Sequence, residues 1–286
     1  MTGTEPAAKP TTPAVSRPDA RAGTGPEAGT APEAGTAPEA AAGPDAIAAA
    51  DAIAAELRAA GSPERAVRER AYLKSDLEFF GVPVPVARAA IRSWCRARPG
   101  LGHGELVAVA AALWQPPVFD RRMAAEMLLE LNPALLGPAD VPLIERMLRE
   151  AVTWALIDSL AAGLMGGLVE RYPALTEILD RWAADGDFWI RRSALLALLV
   201  PLRRGAGDFG RFSRYADQML AEKEFFIRKA IGWVLRETAK KRPALVAEWL
   251  APRIHQVSGV TLREALKPLP PDVRAALLAA RYDGPR

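Results

Sequence analysis

From Asp45 to the C-terminal end, apolar residues recur at three- and four-residue steps, the spacing of helices that bury one face. The runs AIAAELRAA, VARAAIRSWCRA, ELVAVAAALW, RRMAAEMLLEL and LIERMLREA all carry this period. Short breakers separate them: Gly61-Ser62-Pro63, Pro99-Gly100, Gln115-Pro116-Pro117, Asn132-Pro133, Gly137-Pro138 and Gly186. No alternating β-branched run bounded by hairpin turns interrupts the pattern. The pattern predicts an all-α chain of roughly ten to thirteen helices joined by short connections.

A longer period lies over the helical one. Phe119-Asp-Arg-Arg-Met, Trp154-Ala-Leu-Ile-Asp, Trp189-Ile-Arg-Arg-Ser and Phe226-Ile-Arg-Lys-Ala begin alike, at steps of 35, 35 and 37 residues. A mid-thirties period holding two helices is the mark of an α-solenoid, in which each repeat buries its apolar face against its neighbours. Two and three residues after each aromatic stand Arg121 and Arg122, Arg191 and Arg192, and Arg228 and Lys229. The second repeat has Leu156 and Ile157 there, followed by Asp158. The phase predicts a cationic column with a lone carboxylate in its middle, a surface suited to a phosphate backbone.

Composition changes the picture at one end only. Residues 1–44 are Ala, Pro, Gly, Thr and Glu with almost no large apolar side chain, and contain GTGPEA, GTAPEA and GTAPEA in tandem. Such a stretch cannot bury enough surface to offset its ordering entropy, so a disordered tail over 1–44 and a folded domain over 45–286 are expected. The tail lacks the apolar core of a secretory signal, and no apolar run is long enough to span a membrane. Three basic residues against five acidic give the tail a net −2, so with +3 on the whole chain the domain carries +5. One cysteine, Cys95, excludes an internal disulfide. Two distant histidines, His103 and His255, argue against a histidine metal site or a Ser/His/Asp triad, so no metal or cofactor is expected. A cytoplasmic monomer is the expected form.

Five segments carry a resemblance: Tyr72-Leu-Lys74-Ser; Phe79-Phe-Gly-Val82; Thr153-Trp154-Ala-Leu-Ile-Asp158-Ser159; Asp187-Phe-Trp189-Ile-Arg191-Arg192; and the run from Lys223 through Trp233 and Arg236 to Thr238. Over roughly residues 50 to 280 the chain resembles the AlkD-type DNA glycosylases, the HEAT-like-repeat proteins of DNA alkylation repair. The resemblance implies a curved solenoid that binds duplex DNA. It implies excision of N3- and N7-alkylated purines by N-glycosidic cleavage, without a pocket for a flipped base. It places catalytic residues at Trp154, Asp158 and Trp233, and a phosphate-binding arginine at Arg192. Thr153 and Ala155 depart from the family's pattern beside the site, which bears on the range of lesions.

The residue chemistry is compatible with those roles. Alkylation makes the purine cationic and a good leaving group, so no general acid is required. Cleavage develops oxocarbenium character, which a carboxylate stabilises. Trp154 precedes Asp158 by four residues, hence lies on the same helix face, and a tryptophan face attracts a cation by roughly 0.5 to 2 kcal/mol. Arg191 and Lys229 belong to the cationic column, and Arg236 shares a face with Trp233. Arg88, Tyr72 and Lys74 are further groove candidates. Trp94, Trp114, Trp182 and Trp249 are read as packing residues, with Trp189 a helix anchor. Two rivals stand beside the enzyme: a protein-binding scaffold, and a non-catalytic module for distorted or branched DNA. The Trp154, Asp158 and Trp233 set separates the enzyme from both.

Overall fold

The computed structural model describes residues 43–283. The expected tail therefore lies outside the described residues, apart from Gly43 and Pro44. Pro44 already opens the first helix, where its missing N–H and fixed φ cost nothing.

Among the described residues the regular structure is helical, with one isolated bridge, Glu78 to Val118. Three helices lead: α1 (Pro44–Ala60), α2 (Pro63–Leu73) and α3 (Val84–Arg96). Helix pairs follow. They are α4 (His103–Trp114) with α5 (Phe119–Leu131), and α6 (Val141–Glu150) with α7 (Trp154–Ser159) and α8 (Gly166–Arg171). Next come α9 (Thr176–Ala183) with α10 (Phe188–Leu196) and α11 (Leu199–Arg203), then α12 (Phe209–Gln218) with α13 (Phe225–Ala239). The last pair is α14 (Pro243–Leu250) and α15 (Gly259–Ala265), closed by α16 (Pro271–Tyr282). The fold is an all-α solenoid of HEAT-like helical repeats. The expected aromatic starts open second helices, since α5, α7, α10 and α13 begin at or one residue before Phe119, Trp154, Trp189 and Phe226. These helices pack side by side in chain order, with α15 next to α13.

Sixteen α-helical segments among the described residues exceed the expected ten to thirteen, and two of the extra breaks have local causes. Helices α7 and α8 are one rod interrupted by a π-helical stretch, Leu160–Met165. The α10–α11 break precedes Pro201, which cannot donate to the carbonyl four residues back, that of Ala197. Gly166 sits against this freed carbonyl; a Cβ there would stand 2.8 Å from the Ala197 oxygen.

Hydrogen bonds repeat with the sequence period. Along the first helices, Trp114 Nε1 donates to Glu150 (2.8 Å) and Trp182 Nε1 to Glu145 (2.9 Å). Tyr215 donates to Asp180 (2.6 Å) and Trp249 Nε1 to Ser213 (2.7 Å). Each rung spans 35 to 37 residues and joins one repeat to the next. The packing tryptophans Trp114, Trp182 and Trp249 are thus buried, as read from the sequence, and each also satisfies its indole N–H on a neighbouring repeat. A buried indole N–H without a partner costs about 1–3 kcal/mol, so each rung also penalises a slip in repeat register.

Candidate active site

The second helices carry their own rungs, and these consume the cationic column. Arg122 is buried and donates to the carbonyls of Trp114 (3.2 Å) and Glu150 (2.5 Å). Arg121 pairs with Asp51, and Arg228 donates to the Glu222 carbonyl. Arg191 grips Glu222 with two bonds of 2.8 Å and reaches the Asp185 and Gly186 carbonyls. Lys229 pairs with Glu264 at 2.5 Å, and Arg236 with Glu264 and Glu237. The column expected to face a phosphate backbone is therefore largely committed to internal acceptors. A guanidinium beside a neighbouring repeat's carboxylate or free helix-end carbonyl is held there by charge-assisted bonds.

Arg192 is the clearest instance. Its side chain is 3% exposed. Nε donates to Asp158 Oδ1 at 2.8 Å, NH2 to Oδ2 at 2.9 Å, and NH1 to the Phe226 carbonyl at 2.5 Å. The guanidinium faces the carboxylate and α13 rather than solvent. One residue thereby fastens α7, α10 and α13.

Asp158 is the carboxylate so held, with its side chain 16% exposed. Burial pushes its carboxyl above the usual aspartate value, and Arg192 opposes that rise through charge and hydrogen bonds. Each oxygen spends one lone pair on Arg192; the others remain for whatever approaches the open edge. One turn earlier, Trp154 is half-buried, and the exposed Tyr72 meets it edge-on, with ring centroids 5.8 Å apart and planes at 82°. Tyr72 is carried at the end of α2. Lys74 follows it, exposed and left-handed at φ 49°, and closes the helix.

Trp233 lies half-buried on α13, with Lys229 one turn before and Arg236 one turn after on the same face. Gly232 beside it allows α15 close: a Cβ would stand 3.0 Å from the Thr261 Cα and carbonyl oxygen. Among the described residues, no ring contact or hydrogen bond joins Trp233 to Trp154 or Asp158. The connection runs through Arg192 to the Phe226 carbonyl, two turns back on Trp233's own helix. Trp189 packs against Phe226 with ring centroids 4.8 Å apart and planes tilted at 42°, and contacts Phe188, the anchoring role expected of it.

Behind Asp158 stands a cluster that the residue pattern did not disclose. Arg88 donates to Glu130 (2.9 Å), and so does the Ser159 hydroxyl (2.9 Å). Glu126, one turn before Glu130 on α5, is fully enclosed. Arg88, expected in the groove, is thus tied to α5. The segment entering α7 is also strained. Val152 is exposed at φ 48°, a conformation β-branched residues rarely adopt, and the hydroxyl of the next residue, Thr153, is buried without a partner. Strain of this kind persists only where surrounding packing imposes it, here directly before Trp154.

Residues 53–269 match the family model described as DNA alkylation repair enzyme. No curated protein sequence matches the chain. Two solved structures are similar in fold. One is a predicted DNA alkylation repair enzyme from Enterococcus faecalis, with 24% identity, a TM-score of 0.66, and coverage of 72% of this chain and 95% of that one. The other is AlkD2 from Streptococcus mutans, with 17% identity, a TM-score of 0.52, and coverage of 71% and 98%. No helix among the described residues is long and apolar enough to cross a membrane.

Proposed function

Because this chain belongs to the DNA alkylation repair enzyme family, we propose that it is a DNA glycosylase that hydrolyses the N-glycosidic bond of cationic N3- and N7-alkylated purines in duplex DNA. The supporting observation is the Asp158 carboxylate, clamped by Arg192 yet still partly exposed, one helical turn from the half-buried ring of Trp154. The alkylated base leaves as a neutral purine without protonation. The deoxyribose left behind carries developing positive charge. A fixed carboxylate needs no reorganisation to meet that charge, which is the source of its catalytic value. The same carboxylate orients the attacking water and accepts its proton as the new C1′–oxygen bond forms. Trp154 and Trp233 offer π faces to the cationic nucleoside and favour it over a neutral one.

Lys229 and Arg236 share the Trp233 face and serve the phosphate backbone in this reading. Lys229, Arg236 and Lys267 surround one carboxylate, Glu264, and leave a surplus of positive charge. Arg192 holds Asp158 in place through its paired hydrogen bonds. The test is incubation of the purified protein, in excess, with a duplex carrying one 7-methylguanine, followed by quantitation of abasic sites. Time-dependent base release supports the assignment. Tight binding without release transfers it to a module that recognises distorted DNA.

A further inference from the structure

Helix α7, which carries Trp154 and Asp158, is six residues long and regular at neither end. The chain enters it through Val152 at φ 48°, and Thr153 gives it no side-chain cap. It leaves into the π-helical stretch Leu160–Met165, where the Gly166 N–H reaches back five residues to the Ala161 carbonyl. A π turn is wider and looser than an α turn, is rare, and recurs at functional sites. Neither flank of α7 therefore fixes how far the helix is rotated about its own axis. Any such rotation swings the Asp158 carboxylate sideways.

Lateral bonds supply what the flanks lack. Asp158 and Ser159, the last two residues of α7, are tied to opposite neighbours in the stack. Asp158 is gripped by Arg192 of the following repeat. The Ser159 hydroxyl donates to Glu130 Oε1 of the preceding one at 2.9 Å. Glu130 is itself fixed, since Arg88 of α3 donates to its other carboxylate oxygen at 2.9 Å. Its Oε1 also lies against Gly163 in the π-helical stretch, where a Cβ would stand 2.6 Å away. Only a residue without a Cβ admits the carboxylate to this place. One side chain thus meets the last residue of α7 and the π turn that follows it.

We propose that Glu130 is a positioning residue for Asp158: by accepting the Ser159 hydroxyl across the repeat boundary, it fixes the rotation of α7 and so the direction in which the Asp158 carboxylate is presented. Arg192 holds one side of that turn. A helix held from one side still rolls about the contact, and Glu130 closes the other side. Arg88 stands one step further back, as the support of Glu130. The catalytic consequence rests on the glycosylase reading; the mechanical one is independent of it. A preorganised charge has its full effect only where the transition state needs it. A displacement of about 1 Å, caused by a change away from the chemistry, can cost about 10²-fold in rate.

Three substitutions in the full chain break the contact in different ways. Glu130→Ala removes the acceptor, Ser159→Ala removes the donor, and Gly163→Ala keeps both but displaces the carboxylate. Ser159→Ala deletes a single oxygen, so the test stands even where a Glu130 variant fails to fold. The first arm is hydrogen exchange. Each variant should exchange its amides faster over residues 154–166, with those of α10 unchanged. Wild-type exchange over 154–166 in Ser159→Ala overturns the proposal whatever the activity. The second arm is single-turnover release of 7-methylguanine at saturating enzyme. Each variant should be slower by roughly tenfold, part of what misplacing a catalytic group can cost. Glu130→Ala and Ser159→Ala together should be no slower than the slower of the two, since one bond is lost in both. Losses that multiply to about a hundredfold would mean two independent roles, and would refute the assignment. Glu130→Gln keeps an oxygen for Ser159 while giving up the charge, and should retain most of the wild-type rate. Damage equal to that of alanine would mean that the charge matters and the bond does not, and would equally refute it. If the wild type releases no base, the glycosylase reading has failed, and the exchange arm alone decides whether Glu130 holds α7.

Discussion

Arg192 meets Asp158 through two parallel hydrogen bonds, Nε to Oδ1 at 2.8 Å and NH2 to Oδ2 at 2.9 Å, across 34 residues and one repeat boundary. The third donor of the same guanidinium goes to the next repeat. The pair is at once a structural rung and the support of the candidate catalytic carboxylate.

Removing one member of such a pair should therefore unfold more than it disarms. Arg192→Ala leaves a largely buried carboxylate and the Phe226 carbonyl unmatched, and breaking a buried pair costs about 3–5 kcal/mol. Arg192→Lys keeps the charge but loses the planar fork, so it should fall between alanine and wild type. Urea unfolding at neutral pH measures both. A wild-type midpoint for Arg192→Ala would show that the pair does not hold the repeats together.

The helices and the repeat were legible in the residues because both are local signals. Apolar spacing marks each helix, and an aromatic residue marks the head of the four second helices α5, α7, α10 and α13. The internal partners of the cationic column were not legible, because spacing tells which face a residue occupies, not what faces it. The partners of Arg191, Arg192 and Lys229 lie 31 to 35 residues away, on the adjoining repeat. Asp158 could be singled out as a carboxylate in a cationic phase, but its clamp could not. Glu126 and Glu130 read as an ordinary pair of acids on a helix, since enclosure is a property of the packed helices around them. The positive φ of Val152 has no sequence signal at all.

Glu264 makes the acid stability of the molecule predictable. Burial alone would raise its carboxyl, but hydrogen bonds from Lys229 and Lys267 and the charges of Lys229 and Arg236 outweigh burial and hold it at about 2. A depressed folded-state value means stability that is fully present above the unfolded value of about 4.3 and lost as pH falls toward 2. Glu264→Gln should cost roughly 1–2 kcal/mol at pH 7, a figure reduced for the exposure of the lysines. Its deficit should shrink between about pH 4.3 and 2. Urea titrations across that range test this, and a deficit independent of pH would contradict it.

Glu126 predicts the opposite slope. Its carboxyl is raised by burial and by the adjacent Glu130 and Asp158 charges. The stability it contributes is therefore full below the unfolded glutamate value and lost as pH rises toward the folded one. Glu126→Gln has no proton to lose. It should gain in Tm relative to wild type as pH rises, by roughly 2–4 °C at mildly alkaline pH if the effect is about 1 kcal/mol. Calorimetry at acid and alkaline pH measures the difference. A variant that loses stability more steeply than wild type as pH rises would be inconsistent with a buried, protonated Glu126.

Catalysis gives the sharpest contrast among the site residues. Asp158→Asn keeps the shape of the side chain and removes its charge, and the charge matters most where the sugar becomes cationic. The loss should thus appear in the single-turnover rate more than in DNA affinity. Removing one preorganised electrostatic group costs about 10²- to 10³-fold elsewhere. Here roughly tenfold to a hundredfold is expected, because a cationic purine already departs readily and the carboxylate is partly exposed. Burial holds the Asp158 carboxyl above the ordinary value against the pull of Arg192. The wild-type rate should therefore fall as pH drops through that raised range, and the asparagine variant should show no such limb. Trp154→Ala and Trp233→Ala should slow release by smaller factors, more for 7-methylguanine than for a neutral lesion, since only the cation draws on the π faces. Circular dichroism of each variant first establishes that it is folded, as Asp158→Asn also leaves Arg192 without its counter-charge. If folded Asp158→Asn releases 7-methylguanine at the wild-type rate, Asp158 serves the fold alone and the chemistry lies elsewhere.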